Sequence, residues 1–333
     1  MPRRPSPMSR NAAHDVGGRR IAVLVPCYNE EAAIGKVVAD FKKALPHAAI
    51  HVYDNNSSDR TAQMARKAGA LVGSELRQGK GHVVRHMFAD IDADIYVLVD
   101  GDATYDAPSA PKLVEWLLRG NLDMVVGTRV DRDEAAYRRG HRFGNRVLTG
   151  FVARIFGRSF SDILSGYRVF SRRFVKSFPA LSTGFEIETE LTIHALELGM
   201  PVAEMPTPYY ARGEGSASKL NTWRDGLRIL WTIGRLFRTE RPLQFFGLIG
   251  AVLVLVSIVL AVPVVRTYFA TGLVPRLPTA VLVTGLILLA SLSFVSGLIL
   301  DTVTRGRREI KRLAYLSHQA PLLQERRADR EAK

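Results

Sequence analysis

The hydrophobic pattern divides the chain into unlike stretches. Up to about residue 130, short unbroken apolar runs alternate with segments whose apolar positions recur every three or four residues. The first run, Ile21-Ala22-Val23-Leu24-Val25, is closed by Pro26, others occupy 70–72 and 96–99, and strands are also expected over 50–53, which includes His51, and over 123–126, which opens with Asp123. Runs of this kind without polar alternation predict strands buried on both faces. The periodic segments predict helices from Glu30 and Glu31 to about 45, from Ser58 or Asp59 to about 68, after Gly79-Lys80-Gly81 to about 91, and over 110–118. Strands alternating with such helices predict an α/β domain with a Rossmann-like, mostly parallel sheet.

Residues 131–215 are less periodic. A basic segment with Arg138, Arg139, Arg142 and Arg146 leads into a helix ending near 155. Another helix starts at Gly184-Phe185-Glu186-Ile187-Glu188, and a strand over 202–205 continues as extended chain to Tyr210. A Gly- and Ser-rich loop then carries Arg212 and ends at Lys219. Over 221–240 the pattern is amphipathic: Trp223, Leu227, Leu230, Trp231 and Phe237 share one helical face, with Arg224, Arg228 and Arg235 along its side. Aromatic and leucine side chains beside arginine predict a helix lying in a membrane interface.

No charged residue lies between Arg241 and Arg266, or between Arg276 and Asp301. About twenty apolar residues span a hydrocarbon core. A transmembrane hairpin is therefore expected over 241–303, with spans at about 243–265 and 278–300. Pro263 is tolerable in a span. Arg305, Arg307, Arg308, Lys311 and Arg312 follow the second run, whereas the connecting loop holds only Arg266 and Arg276. The positive-inside rule then places the α/β domain and the basic tail over 304–333 in the cytoplasm, with a bacterial inner membrane as the expected location.

Composition adds less. The 333 residues carry a net charge of +14 and one cysteine, Cys27. One cysteine permits no intrachain disulfide and suits a reducing compartment. The charge alone admits nucleic acid, an anionic membrane or a phosphorylated ligand. The arginines gather beside the membrane segments and not on an aromatic-bearing sheet face, so no nucleic acid is expected. Residues 1–19 hold Arg3, Arg4, Arg10 and Arg19 without an apolar core, which predicts a disordered basic tail, with an organellar transit peptide as the alternative.

Acids stand at successive strand ends: Glu30, with Tyr28, after the first; Asp54 after the second; Asp100-Gly101-Asp102 after the run 96–99. Ligands of open α/β sheets bind at such ends. Two carboxylates around a glycine suit a hard divalent cation that completes its shell with substrate phosphates, and an acidic turn is the plain alternative. No G-x-G-x-x-G opens the first helix, and Gly79-Lys80-Gly81 lacks the Ser or Thr of a P-loop. A dinucleotide dehydrogenase and a P-loop NTPase are both disfavoured.

Taken in order, I-A-V-L-V-P-C-Y-N-E-E (21–31), V-Y-D-N-N-S-S-D-R-T (52–61), Gly79-Lys80-Gly81, V-D-G-D (99–102), D-I-L-S-G-Y (162–167), G-F-E-I-E (184–188) and Ser218-Lys219-Leu220 resemble glycosyltransferase family 2. The nearest subgroup is the polyprenyl-phosphate glycosyltransferases, similar to dolichol-phosphate mannose synthase, with two C-terminal membrane helices. The resemblance covers roughly 20–305. It implies a GT-A fold over 20–220 and inverting transfer of one sugar from a UDP- or GDP-linked nucleotide-sugar to a polyprenyl phosphate. By position, Pro26, Tyr28, Glu30, Lys80 and Gly101 would line the nucleotide-sugar, and Asp54 would bind its base or ribose. Asp100 and Asp102 would form the D-x-D, with Asp102 the direct ligand of Mg²⁺ or Mn²⁺. Arg212 and Lys219 would close over the diphosphate. Thr104 stands where the mannose synthases often carry a Gln that adds to the metal shell, and is a further candidate ligand.

An acceptor phosphate monoester is largely ionised at neutral pH. It needs cations to position it more than a base to activate it, and Arg129 and Arg142 are the candidates. Arg142 has the alternative of facing anionic lipid. The expected catalytic set is Asp100, Asp102 and Arg129. Asp162, Glu186 and Glu188 are candidates for contacting sugar or holding the acceptor loop, with helix-cap acids as the alternative for the glutamates. A competing reading is a membrane-anchored family 2 enzyme acting on a glycan or glycolipid hydroxyl, which would recruit Asp162 as base. The Q-x-x-R-W of processive synthases is absent. A non-catalytic membrane-tethered binding protein is the remote alternative, and a homo-oligomer is left open.

Overall fold

A computed structural model describes residues 18–131, 160–180, 186–211 and 234–321, together with 14, 15, 149, 150, 152, 154, 184 and 231. The elements in chain order are β1 (His14–Asp15), β2 (Arg19–Cys27), α1 (Ile34–Ala44), β3 (Ala49–Asp54), α2 (Thr61–Lys67), β4 (Leu71–Ser74), α3 (Lys80–Asp90) and β5 (Ile95–Leu98). There follow α4 (Ala110–Arg119), β6 (Met124–Asp131), β7 (Arg168–Ser171), α5 (Arg172–Ser177), α6 (Ile187–Glu197), β8 (Val202–Tyr209), α7 (Pro242–Thr271) and α8 (Leu277–Leu316).

The sheet runs β4-β3-β2-β5-β7-β6-β8, with β1 paired to β2 off this path. All neighbours along the path are parallel except β7, which is antiparallel to both β5 and β6. Val23, Leu24, Val25, Val97, Leu98, Val125 and Val126 are shut off from solvent, as the unbroken apolar runs require. Each such side chain contributes roughly 1.5–3 kcal/mol.

Two element boundaries depart from the sequence reading for identifiable reasons. Strand β2 does not stop at Pro26 but continues to Cys27, pairing Pro26 with Tyr53 and Cys27 with Asp54. Cys27 O accepts from Asn55 on the β3 side, whereas Leu24 O accepts from Val99 on the β5 side. Alternation therefore aims the position of the missing Pro26 N–H toward β5, beyond the last ladder bond, where its absence costs nothing. Helix α1 begins at Ile34, later than Glu30. The backbone of 29–31 is engaged elsewhere: Asn29 N donates to Ser57 Oγ (2.9 Å), Glu30 N to Thr61 Oγ1 (2.8 Å) and Glu31 N to Asp59 Oδ2 (3.1 Å). This locks the loop after β2 to the loop after β3.

The chain divides into two compact units, one of 1–222 with 311–333 and one of 223–310. In the second, α7 and α8 are long and apolar enough to cross a membrane, by length and composition. They lie antiparallel. Ser257 Oγ donates to Val283 O (3.2 Å), Ser293 Oγ to Phe246 O (2.9 Å) and Thr304 Oγ1 to Thr239 O (3.3 Å). A Cβ on Gly250 would stand 3.2 Å from Ala290 O, and one on Gly297 would stand 3.3 Å from Leu243 Cα. Small residues at seven-residue spacing (Gly250 and Ser257; Ala290, Gly297 and Thr304) let the backbones approach, and hydroxyl-to-carbonyl bonds join them. The expected interfacial helix lies mostly outside the described residues; Trp231 is 73% exposed.

In the first unit, the end of α8 joins the α/β domain. Lys311 Nζ pairs with Glu197 (2.6 Å), and Tyr315 Oη donates to Asp123 (2.8 Å). Nearby, His194 is buried against Phe174 and Phe178, with its Nε2 3.0 Å from Ser177 Oγ. Burial, helped by the Lys311 charge, lowers its pKa from 6.5 to about 3. The unfolded chain takes up this proton first, so the stability contributed by neutral His194 is complete above pH 6.5 and is lost as pH falls toward 3. His194→Gln should remove about 2 kcal/mol of the stability lost between pH 6.5 and about pH 5. Chemical denaturation at those two pH values reads this out, and an unchanged acid slope in the variant would contradict it.

Candidate active site

Strand β5 ends at Leu98, and the chain then presents Asp100, Gly101 and Asp102 beside the end of β2. A Cβ at Gly101 would overlap Cys27 Sγ, so only glycine fits between the two acids. Asp102 is 5% exposed and accepts from Thr104 Oγ1 at 2.6 Å and from Thr104 N at 3.3 Å. Between them Ala103 is left-handed, at φ 57°. A side chain in that region costs on the order of 1 kcal/mol. The turn thus holds Asp102 by a strained residue and a hydroxyl. Thr104, a candidate metal ligand from sequence, is placed as a donor to Asp102.

Asp100 turns the other way. Lys80, the first residue of α3, reaches both Asp100 and, at 2.5 Å, Glu188 in the first turn of α6. Burial works against the Lys80 charge, but Asp100 and Glu188 outweigh it and its pKa lies above the ordinary lysine value. Burial raises the Glu188 pKa, with Lys80 opposing. Gly166 makes room for this arrangement: a Cβ there would come within 2.6 Å of Asp100 Oδ2. Glu186 sits just before α6 and makes no cap hydrogen bond.

The strand-end acids converge. Burial drives the Cys27 thiol pKa well up, and Glu30, Asp54, Asp100 and Asp102 all push the same way. Asp54 closes β3 and accepts from Ser57 N (3.2 Å), while its Oδ1 is enclosed with no hydrogen-bond partner among the described residues. Tyr28, 36% exposed, follows β2 directly. Asn55, not singled out from sequence, braces the loop before α3: its Nδ2 donates to Glu75 O (3.0 Å) and Arg77 O (2.8 Å), and its Oδ1 accepts from Gly79 N (2.7 Å).

On β6, Arg129 is held in a two-pronged pair with Asp162, Nε to Oδ2 at 2.7 Å and Nη2 to Oδ1 at 2.8 Å. Its guanidinium lies 5.6 Å from the Tyr209 ring centre. Burial raises the Asp162 pKa, but hydrogen bonds and charge from Arg129 more than offset this and hold it below the ordinary value. Beneath this loop lies Arg168, fully buried, which the sequence reading passed over. It donates to Ser165 O (2.9 Å), Ile163 O (2.5 Å) and Thr192 Oγ1 (2.8 Å). Burial lowers its pKa to about 10, so it stays charged at neutral pH. Arg142, Arg212 and Lys219 lie outside the described residues.

Among the described residues no group of three or more His, Cys, Asp or Glu side chains is poised to hold a metal ion. Two carboxylates at a strand end fit instead an ion that takes the rest of its shell from a bound diphosphate.

Residues 22–178 match the model of glycosyl transferase family 2. A glycosyltransferase of Haloferax volcanii, AglJ, is 38% identical over 69% of this chain and 76% of its own length. The dolichyl-phosphate hexose transferase of the same organism is 31% identical over 66% of this chain and 95% of its own. Among solved structures, glucosyl-3-phosphoglycerate synthase from Mycobacterium tuberculosis, a GT-A-type neighbour, superimposes over 66% of this chain and 79% of that one. Its complex with Mn²⁺, uridine-diphosphate-glucose and glycerol 3-phosphate gives a TM-score of 0.53 at 25% identity. Its complex with Mg²⁺ and uridine-diphosphate gives 0.54 at 26%.

Gly101→Ala should lower stability by about 1–3 kcal/mol through overpacking against Cys27. Cys27→Ala in the same chain should restore most of it, since the overlapping atom is Sγ. Thermal melting of the single and double variants tests this, and simple addition of the two effects would refute it.

Proposed function

The chain belongs to glycosyltransferase family 2, and on that premise we propose that it transfers one sugar, with inversion, from a UDP- or GDP-linked donor to a polyprenyl phosphate at the cytoplasmic face of a membrane. One observation carries the choice of acceptor: Asp162 is committed to a two-pronged pair with Arg129. A hydroxyl acceptor needs a carboxylate base, and a carboxylate whose pKa is held low by an arginine is a poor one. A phosphate monoester brings its own negative charge and needs an oriented cation instead. The dolichyl-phosphate hexose transferase relative and the two apolar helices support a lipid-linked acceptor.

In this reading Asp54 offers its enclosed Oδ1 to an N–H or O–H of the donor nucleotide, beside Tyr28. Asp102 would hold Mg²⁺ or Mn²⁺ on the donor diphosphate, with Asp100 adjacent. When bound, that ion supplies charge stabilisation to the departing diphosphate. Thr104 orients the Asp102 carboxylate. Lys80 keeps Asp100 and Glu188 from repelling each other and an anionic donor. Arg212 and Lys219 remain the candidates for closing over the diphosphate. Arg129 orients the acceptor phosphate, one of whose oxygens attacks the anomeric carbon as the bond to the diphosphate breaks on the opposite face. That geometry inverts the anomeric configuration, and no proton has to be removed.

Membranes containing the protein, incubated with labelled UDP- and GDP-sugars and undecaprenyl phosphate, should yield label extractable into organic solvent with one donor of the panel. Label confined to water-soluble glycan would favour the hydroxyl-acceptor reading instead. Asp102→Ala, and chelation of divalent ions, should each lower turnover by at least about a hundredfold while leaving the fold intact by circular dichroism. Metal-independent turnover near the wild-type rate would remove Asp102 from its assigned role.

A further inference from the structure

Strands β6 and β8 run parallel and in register, with Val126 against Glu204 and Arg129 against Thr207. The Glu204 carboxylate reaches the loop that carries Asp162. Both of its oxygens accept from Ser161 N at 2.9 Å, and Oε1 also accepts from Asp162 N at 3.3 Å. Asp162 in turn holds Arg129 through Nε, Nη2 and, at 3.3 Å, the Arg129 backbone N–H. The chain of contacts therefore runs from a carboxylate on β8, through the first peptide groups of the loop, to the guanidinium on β6.

The rest of that loop is anchored independently. Arg168 takes the carbonyls of Ile163 and Ser165, and Tyr105 Oη accepts from Gly166 N at 2.8 Å. Removing the Glu204 carboxylate leaves these anchors in place and releases the backbone at 161–162. A glutamine would keep one accepting oxygen and turn an amide N–H₂ toward the peptide N–H groups, so it would restore part of the hold.

We infer that Glu204 is a positioning residue for the acceptor phosphate: it fixes Asp162, and through Asp162 the Arg129 guanidinium, without itself touching substrate. This rests on the reading of Arg129 as the group that meets that phosphate.

The test uses the full chain in detergent with undecaprenyl phosphate and the nucleotide-sugar returned by the donor panel. Glu204→Ala should raise the acceptor KM about tenfold, with the donor KM unchanged and the thermal midpoint close to wild type. Glu204→Gln should fall between the two, and it serves alone if the alanine variant fails to fold. In an Arg129→Ala background, Glu204→Ala should add nothing further to the acceptor KM. Multiplicative effects in the double variant, or equal rises in donor and acceptor KM, would overturn the inference. If Arg129→Ala raises the acceptor KM and neither Glu204 variant does, the positioning role alone fails. If Arg129→Ala leaves the acceptor KM unchanged, the phosphate role of Arg129 fails first and takes the inference with it.

Discussion

The site depends on the Lys80 ammonium held between Asp100 and Glu188. Glu30, Asp54, Asp100 and Asp102 all bear on the space around one buried thiol, and Glu188 adds another buried acid. A site proposed to receive a diphosphate cannot carry that much negative charge uncompensated. Lys80 compensates from within, and it ties the start of α3, the end of β5 and the first turn of α6 to one point. Such a buried pair adds little net stability, but removing one partner costs about 3–5 kcal/mol. Its value here is geometric: one ammonium joins carboxylates from two elements to the start of a third.

Steric limits refine what charge has placed. Gly101 lets the D-G-D turn press on Cys27, and Gly166 lets Asp100 lie against the backbone just before β7. Ala103 accepts a left-handed conformation so that Thr104 can reach back to Asp102. Arg168 stiffens the same loop from below by hydrogen-bonding peptide carbonyls and Thr192, a use of buried positive charge that also favours the neighbouring acids in their ionised form. These devices hold the site's carboxylates in place before any ligand arrives, as preorganisation requires.

What could be read from sequence follows from this division. Apolar runs such as Val23–Val25 and Val97–Leu98 announce buried strands because their burial is one-dimensional information. Acids that end those strands are legible for the same reason, which is why the sequence groups Asp54, Asp100 and Asp102 as strand-end candidates. Strand β7 is not legible in the sequence, because the fully buried Arg168 begins it and breaks the apolar run, and because its four residues enter the sheet antiparallel between β5 and β6. Pairings across long separations were equally hidden. Lys80 was expected to meet the nucleotide-sugar, and nothing at position 80 signals a partner 108 residues away in Glu188. In sequence Asn55 is one polar turn residue among several, whereas in the fold its side chain satisfies three backbone groups of another loop.

The state of Asp162 bears on the acceptor more directly than any motif does. A base must be able to take a proton near neutral pH, and so must not be stabilised as an anion beforehand. Asp162 receives two guanidinium bonds, and its own peptide N–H donates to Glu204, an arrangement that spends its basicity on orientation. The same bonds leave Arg129 ordered, lying by the Tyr209 ring. An ordered arginine beside a committed aspartate suits a nucleophile that arrives already ionised. That is the property separating a phosphate monoester from a sugar hydroxyl, and it makes the lipid phosphate the better chemical match to this pair.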